Sequence, residues 1–520
     1  MNDRPNFLFF ITDQQRSDWL GCYGHPVVKT PNIDALAAAG TRFSDFHVAA
    51  PVCMPNRASL MTGRMPSQHG LRYNGCHLPT NARTFVDVLA AGGYDTASIG
   101  KSHLQPFLTA KAPHPPDGRD RLVDEAWAPA TQNITQEAPA NYDGDAPFGL
   151  DLPYYGFSHV DMVTAHGDRC GGHYAQWFRR SQPDWRALWD DANQLPHNYS
   201  CPQAYRTPVP EAAYPSAWVA DRAIDYLRDP ARKDSPFFSF VSFPDPHHPF
   251  NPPGKYWDMY APEDFTVDLP FAAHRNPPPP LRWLQDNFET GGGQFNKQTV
   301  TRVDDRGLRE AMALTAGMIT MIDDQIGRVV AALTEAGLFE NTVICFTSDH
   351  GDYLGDFGLL LKGALPFRAV TQVPMIWSDP ASRSARVNDA LASTIDISAT
   401  ILDRAGLAPY RGIAGQSFLP SALGGAGHRD ELLIEFNDAV AKLGLATPAR
   451  VRTLRTKDWR LSVYADEPWG ELYDLRSDPR ETHNLWDSAA HREVRGDLAL
   501  RLSHRLARQM DESPRSHLVA

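Results

Sequence analysis

An α/β fold built on a mixed, mostly parallel sheet, followed by a smaller C-terminal α+β lobe with an antiparallel sheet, is what this sequence predicts. Three observations lead there. First, four apolar runs show no alternation and each runs into polar residues: Asn6 to Asp13, Asp95 to Lys101, Pro236 to His247 and Asn341 to Asp349. Unalternating strands are buried on both faces, as in a parallel sheet covered by helices. Second, Ile319, Ile322, Ile326, Val329 and Leu333 recur at helical spacing and make one apolar stripe that ends near Gly337. Third, the pattern changes from about Gln416. Leu432 to Phe436, Arg450 to Thr456, Trp459 to Tyr464 and Glu471 to Leu475 read as short strands with tight connections, and a charged helix follows from about Ala489 to Gln509.

A chain of 520 residues exceeds one compact core, so a division into a catalytic lobe, 1–415, and a smaller lobe, 416–520, is expected. Between about Gln105 and Asp234 the chain is rich in Pro, His, Trp and Tyr with poor periodicity, and reads as long loops over a site. Pro277 to Pro280 and Gly291 to Gly293 mark another irregular insertion. There are no internal repeats.

Composition narrows the function. The apolar fraction of 42% and charged fraction of 22% are those of a globular protein. A net charge of -12 argues against a nucleic-acid partner, though local positive charge can still serve an anionic substrate. The start at Met1 has no basic segment, and the apolar run Phe7 to Ile11 is far too short for an export signal or a membrane span, so a cytoplasmic protein without a membrane partner is expected. The six cysteines are sparse and lack CxxC spacing, which fits a reducing compartment. Asn133-Ile-Thr135 and Asn198-Tyr-Ser200 match glycosylation sequons and are read as chance.

Ligands of open α/β sheets bind beyond the carboxyl ends of the strands. Four strands here run into Asp13, Lys101, His247 and Asp349. That convergence places a site of carboxylates, a lysine and a histidine at one edge of the sheet.

Residues 51 to 63 read Pro-Val-Cys-Met-Pro-Asn-Arg-Ala-Ser-Leu-Met-Thr-Gly. Pro55 suits the first turn of a helix, where its missing N–H costs nothing. A helix from Asn56 to Met61 would aim its positive end at Cys53, and Arg57 lies one turn inside. A lone cysteine is more often a buried structural thiol. The extended stretch, however, closely resembles the sulfatase signature, Cys-x-Pro-x-Arg with its helical continuation. The resemblance extends over most of the chain, through Thr30-Pro-Asn-Ile-Asp-Ala-Leu36, Gly40-Thr-Arg-Phe43 and, near the end, Glu471-Leu-Tyr-Asp-Leu475 with Asp478-Pro479, Glu481 and Asn484-Leu485. It implies an alkaline-phosphatase-like α/β sandwich and a formylglycine made from Cys53 by a formylglycine-generating enzyme.

The same resemblance implies a divalent metal beside Cys53, with Asp13 and Gln14 as one ligand pair and Asp349 and His350, in Thr-Ser-Asp-His-Gly-Asp352, as the other. The common sulfatase pattern has Asp-Asp and Asp-Asn around calcium. Gln14 and His350 look more like choline sulfatases and phosphonate monoester hydrolases. Imidazole suits transition metals, so Mn²⁺ is expected and Ca²⁺ is the alternative. By position, Lys101 and His103 match the family's Gly-Lys-x-His-Leu element, His247 its Pro-His-x-Pro histidine, and Lys362 the lysine after the second metal pair. His247 is preferred to its neighbour His248 on register. Asn74 sits where phosphonate monoester hydrolases carry a substrate-facing asparagine; at the positions of Lys101 and His103 those enzymes carry neutral hydroxyl side chains.

The implied reaction is hydrolysis of a small-molecule sulfate monoester. A phosphonate monoesterase or phosphodiesterase on the same scaffold is the second reading, and a non-catalytic anion-binding relative with Cys53 left as a thiol is the third. The released alcohol and any homo-oligomeric state are left open.

Overall fold

The computed structural model describes residues 4–108, 126, 130–291 and 300–516. Nine strands lie side by side in its main sheet. They are β1 Asn6–Thr12, β2 Thr41–Phe43, β3 Asp95–Lys101, β4 His159–Thr164, β5 Gly171–Gly172, β6 Phe237–Ser242, β7 Thr342–Ser348, β8 Met375–Ser378 and β9 Arg386–Asn388. Across the sheet the order is β9, β2, β8, β7, β1, β6, β3, β4, β5. β1 pairs in parallel with β6 and β7, and β3 with β6 and β4. β8 runs antiparallel to both of its neighbours, and β5 antiparallel to β4. This is the mixed, mostly parallel sheet that the apolar runs predict.

β1 shows why its sequence does not alternate. Leu8 and Phe10 face one core, shared with α5 (Pro215–Arg228) and the long α7 (Asp305–Glu335), through Trp218, Ile319, Ile322 and Ile326. Phe7, Phe9 and Ile11 face a second core, with Ala58 and Leu60 of α2 (Cys53–Thr62), Phe85 of α3 (Phe85–Ala91) and Ile401 of α8 (Asp396–Arg404). A strand between two helical layers needs apolar side chains on both faces. α7 carries the predicted stripe but begins much earlier, at a cap where the Asp304 side chain accepts from Gly307 N. Its first half is buried nearly all round, so no single stripe marks it there.

The C-terminal lobe has the predicted antiparallel sheet, β10 Glu431–Asn437, β11 Arg450–Thr456, β12 Trp459–Tyr464 and β13 Gly470–Asp474, covered by α9 (Arg492–Ala507). At its centre Arg460, 1% exposed, donates to Glu471 at 2.9 Å and to Glu481 at 2.5 Å. The Tyr464 hydroxyl donates to Glu471 at 2.5 Å and is 3.0 Å from the carbonyl of Ala364. Val52, Ala364, Phe436 and Tyr464 pack in one apolar cluster. The small lobe thus rests on the residue before Cys53 and on the loop that carries Lys362.

Two expectations need correction. The stretch from Gln105 to Asp234 is not loops throughout: among its described residues it holds β4, β5, α4 (His173–Ser181) and α5. β4 lies near the sheet edge with His159 exposed and Asp161 half-buried, so polar residues interrupt its apolar run. The Pro277 to Pro280 run leads into a helix, α6 (Pro279–Glu289), rather than irregular chain, because proline is tolerated in a first turn. Gly292 and Gly293 lie outside the described residues.

Removing Arg460 would leave two buried carboxylates facing each other without their cation. Arg460→Ala should therefore destabilise the protein by about 3–5 kcal/mol. The check is the shift of the urea unfolding midpoint, and a loss of less than about 1 kcal/mol would show that the triad is not a net structural tie.

Candidate active site

α2 begins one turn earlier than predicted, with Val52 as its extended cap and Cys53 as its first residue. Pro55 remains in the first turn, where its lack of an N–H is harmless. All ten residues of α2 are buried, and Gly63 closes it in a left-handed conformation. Two side chains anchor its open end. Asn56 donates to the carbonyl of Asp349 at 2.5 Å and accepts from Ala49 N at 3.0 Å. Asn74, exposed at the rim, accepts from Met54 N at 3.2 Å.

The strand ends meet in front of this helix. Gln14, in a left-handed conformation just past β1, donates its backbone N–H to Asp349 Oδ1 at 3.1 Å. Arg57 Nε donates to Asp349 Oδ2 at 2.7 Å, and its Nη1 donates to the Lys101 carbonyl and to Ser242 Oγ, both at 2.9 Å. Lys101 Nζ donates to Asp13 Oδ2. Gly100, with φ +108°, makes this approach possible, since a Cβ there would lie 1.9 Å from the Ser242 carbonyl oxygen. Lys362 Nζ donates to Gln14 Oε1 at 2.6 Å, to His247 Nε2 at 2.7 Å and to Cys53 Sγ at 3.3 Å. His350 Nε2 lies 3.2 Å from Cys53 Sγ and 3.6 Å from Asp13 Oδ1. Its Nδ1 is 2.8 Å from the Gly351 carbonyl, which as the protonated nitrogen leaves the Nε2 lone pair facing the cluster.

Of the residues named from sequence, Asp13, Gln14, Cys53, Arg57, Lys101, His247, Asp349, His350 and Lys362 are brought together, and Asn74 stands at the entrance. His103 is one layer out: its ring stacks on Phe107 with centroids 4.0 Å apart. It is buried, and its Nδ1 has no hydrogen-bond partner among the described residues. His247 and His248 both reach the cluster, the second through Nδ1 at 3.2 Å from Gln14 Nε2.

Electrostatics follow from this packing. Burial alone would favour neutral Asp13, but Lys101, first, and Arg57 hold its carboxyl well below the usual range. Burial and Asp13 push the Cys53 thiol up, while Lys362, His350 and Lys101 outweigh them and bring it below its ordinary value. Burial, helped by His166 and His248, keeps His247 well below its ordinary value. The arrangement is a buried pocket of fixed cations and paired carboxylates around one nucleophile-type side chain, suited to an anionic group under attack.

The comparisons agree with that reading. The family model described as "Sulfatase" matches residues 5–407. The chain belongs to the sulfatase family. A second model, "N-sulphoglucosamine sulphohydrolase, C-terminal", matches residues 355–509. An uncharacterized sulfatase of Escherichia coli, YidJ, is 31% identical over 95% of this chain and 86% of its own. An arylsulfatase of Clostridium perfringens is 29% identical over 94% of this chain and 92% of its own. Among solved structures, a phosphonate monoester hydrolase of Agrobacterium radiobacter superposes with a TM-score of 0.78 at 27% identity, covering 98% of this chain and 97% of its own. The protein is therefore a sulfuric ester hydrolase with an alkaline-phosphatase-like fold.

The residues of this sulfatase fit the divalent metal that its family generally uses. Ligand atoms of Asp13, Cys53, Asp349 and His350 all lie within 4.8 Å of one another and are buried. Gln14 adds an amide oxygen whose direction is set from behind, because Gln14 Nε2 donates to Asp352 Oδ2 at 2.6 Å. Two carboxylates, one imidazole lone pair and one amide oxygen form a donor set for a hard or borderline cation. Sequence reasoning missed two residues here. Asp352 closes the quoted Thr-Ser-Asp-His-Gly-Asp stretch and was legible as a carboxylate in a strand-end loop. His166, just past β4, has Nε2 2.6 Å from Lys101 Nζ, and its ring stacks on His247 with centroids 3.5 Å apart. The strand-then-polar grammar that exposes the other four would have reached it had β4 been recognised.

Asp349→Ala should abolish stoichiometric divalent-metal binding, because the cation loses a main anionic partner while Arg57 loses its counter-charge. Elemental analysis of purified wild type should give roughly one ion per chain and the variant well under a tenth of that. Equal metal content in the two proteins would exclude this cluster as the site.

Proposed function

We propose that the sulfatase hydrolyses sulfate monoesters through a formylglycine formed from Cys53, with a divalent metal held by Asp13, Gln14, Asp349 and His350. The single observation that carries this reading is the placement of Cys53 at the buried head of α2, 3.3 Å from Lys362 Nζ and 3.2 Å from His350 Nε2. Manganese is the proposed ion, on the strength of the imidazole in the donor set, with calcium as the alternative. When bound, the metal would act as a Lewis acid on oxygens in the pocket.

In the hydrated aldehyde at position 53, one hydroxyl attacks sulfur as the bond from sulfur to the ester oxygen breaks. Lys101, Lys362 and Arg57 offset charge on the transferred group. The departing oxygen takes a proton from His103 or from the Lys362–His247 pair, whose shared proton stands on Lys362 Nζ. The other hydroxyl then gives up its proton, the carbonyl re-forms, the carbon–oxygen bond to sulfate breaks, and a water molecule adds to the aldehyde to restore the hydrate. A thiol or serine ester has no second hydroxyl to drive that expulsion, which is the chemical reason for the aldehyde. In this reading Asn74, at the rim, would meet the leaving group. In this reading residues 1–415 form the catalytic domain and 416–520 a supporting one, the protein matures in the cytoplasm, and a formylglycine-generating enzyme modifies it.

A second reading has a specific observation in its favour. Gln14 and His350 stand in the pocket, a pair that resembles phosphonate monoester hydrolases, and one such enzyme is the structural relative described above. Lys101 supports the sulfate-ester reading, since it adds a cation beside Asp13 where those hydrolases resemble this chain less.

Peptide mass spectrometry of active protein should find residue 53 with its sulfur lost and an aldehyde oxygen in its place. Cys53→Ala should keep its fold and lose turnover by at least about three decades. Full activity with an unmodified thiol would sink the mechanism.

On a panel of aryl sulfates, phosphate diesters and phosphonates, kcat/KM should favour sulfates by about two to three decades. Replacing Lys101 with Tyr and His103 with Thr should narrow the gap. Faster hydrolysis of aryl phosphonates by wild type would reverse the ordering and favour the second reading.

A further inference from the structure

We infer that His166 is a positioning residue of this site, which orients the Lys101 ammonium so that one of its protons is left for the substrate. The inference rests on the sulfuryl-transfer reading above, and none of the residues matched to the family motifs includes position 166.

The geometry around Lys101 is specific. An ammonium has three donors and no acceptor. One proton of Lys101 Nζ goes to Asp13 Oδ2. A second goes to His166 Nε2 at 2.6 Å, so that nitrogen must carry the lone pair and the imidazole is neutral. The third proton has no hydrogen-bond partner among the described residues and remains for an oxygen of the transferred group. With both other protons assigned, the ammonium cannot rotate freely or collapse onto Asp13.

The same device occurs on the other side of the pocket. Lys362 Nζ meets His247 Nε2 at 2.7 Å, while His247 Nδ1 is 2.6 Å from the His248 carbonyl. The His166 and His247 rings lie face to face, 3.5 Å between centroids and 9° from parallel. Two lysines are thus each held by one of a stacked pair of imidazoles, and the stack fixes both ammonium groups with respect to one another.

The backbone is shaped to put His166 there. The residues on either side are left-handed, Ala165 at φ +62° and Gly167 at φ +67°. Left-handed alanine is uncommon, and such residues cluster where surrounding structure over-determines them. A Cβ at Gly167 would lie 2.6 Å from Pro249, so the turn is also pressed against the segment that carries His247 and His248. Asp168 pins its far side, accepting from Asn251 Nδ2 at 2.8 Å and from Thr207 Oγ1 at 2.6 Å. These contacts hold a side chain 10% exposed against Asp13, whose Oδ2 is 3.7 Å from His166 Nε2.

The test uses the full-length, metal-loaded enzyme with an aryl sulfate substrate and the variants His166→Leu, His166→Gln, Lys101→Ala and Lys101→Ala/His166→Leu. His166→Leu should lower kcat by roughly ten- to a hundredfold with KM changed less than about threefold, because the fixed donor matters most as charge moves onto the sulfuryl oxygens. The amide oxygen of His166→Gln can accept the same proton and should recover most of that loss. In the Lys101→Ala background, His166→Leu should add almost nothing, the non-additivity expected of a residue that acts through its partner. Metal content and melting midpoint should match wild type in both His166 variants. Additive losses in the double variant would overturn the inference, as would metal content that falls with His166→Leu, since His166 would then be a ligand of a cation shared with Asp13 and His247. Wild-type turnover that is indifferent to His166→Leu would overturn this inference alone. Absence of wild-type turnover on any sulfate ester would overturn the functional reading and the inference with it.

Discussion

Arg57 is the group on which the rest of the site depends. The residue is 1% exposed, out of reach of bulk solvent, so every charge near it must be arranged in advance. Nε takes Asp349 Oδ2 at 2.7 Å, Nη2 lies 3.7 Å from Asp13 Oδ2, and Nη1 spans the Lys101 carbonyl and Ser242 Oγ. One side chain on α2 therefore touches the ends of β1, β3, β6 and β7. A buried cation of this kind is stable only if its partners are rigid, and parallel strands delivered side by side are the most rigid source of partners the fold offers. The asymmetry between paired and unpaired buried charge makes the arrangement all-or-none: losing one partner leaves the others in apolar surroundings with uncompensated charge.

The smaller lobe extends this constraint outward. Lys362 belongs to a loop rather than a strand, and a loop by itself would not hold an ammonium against three partners at once. Its carbonyl accepts from Val300 N at 2.7 Å, and two residues on, the Ala364 carbonyl lies 3.0 Å from the Tyr464 hydroxyl. Tyr464 is in turn bonded to Glu471, which is bonded to Arg460, which reaches Glu481, whose second oxygen takes Arg368 N at 2.6 Å. Two buried arginines, one in each lobe, thus brace Cys53 and the lysine opposite it. The cluster of Val52, Ala364, Phe436 and Tyr464 adds apolar packing to the same joint. The C-terminal lobe acts on the chemistry by holding still the two segments that flank it.

The parts of this structure that could be read from sequence are those where one requirement dominates. β1, β6 and β7 lie between two cores, so their runs are apolar on both faces and lead visibly into Asp13, His247 and Asp349. The C-terminal strands alternate or break at tight turns and were equally plain. β4 was hidden because edge position admits His159 and Asp161, and that interruption concealed His166 as well. The first half of α7 was hidden for the opposite reason, since burial on all sides erases the amphipathic stripe. Asn56 and Asp352 are legible only as polar residues near a motif. Their work, tying the α2 end to the Asp349 carbonyl and setting the direction of Gln14, depends on contacts across more than 290 residues of sequence in the first case and 338 in the second. Local pattern carries no information about such pairs.

Gln14 shows how the metal pair and the lysines constrain one another. Its amide is neutral, and Asp352 turns the oxygen inward, toward Lys362 Nζ at 2.6 Å. A carboxylate in that place would form an ion pair with Lys362 and discharge part of the field that the ammonium projects into the pocket. A neutral amide accepts the hydrogen bond and leaves the charge intact. Anionic groups bound beside Cys53 then meet Lys362 at nearly full strength, in surroundings where burial keeps the effective dielectric low. The same logic applies at Lys101, which faces the full charge of Asp13 but makes its second hydrogen bond to a neutral imidazole. Each lysine is thus oriented by a group that takes a proton contact without taking charge, and the two carboxylates are left to Arg57 and to the cation site. Spatial separation of these duties lets one buried pocket hold paired carboxylates and still be attractive to an anion.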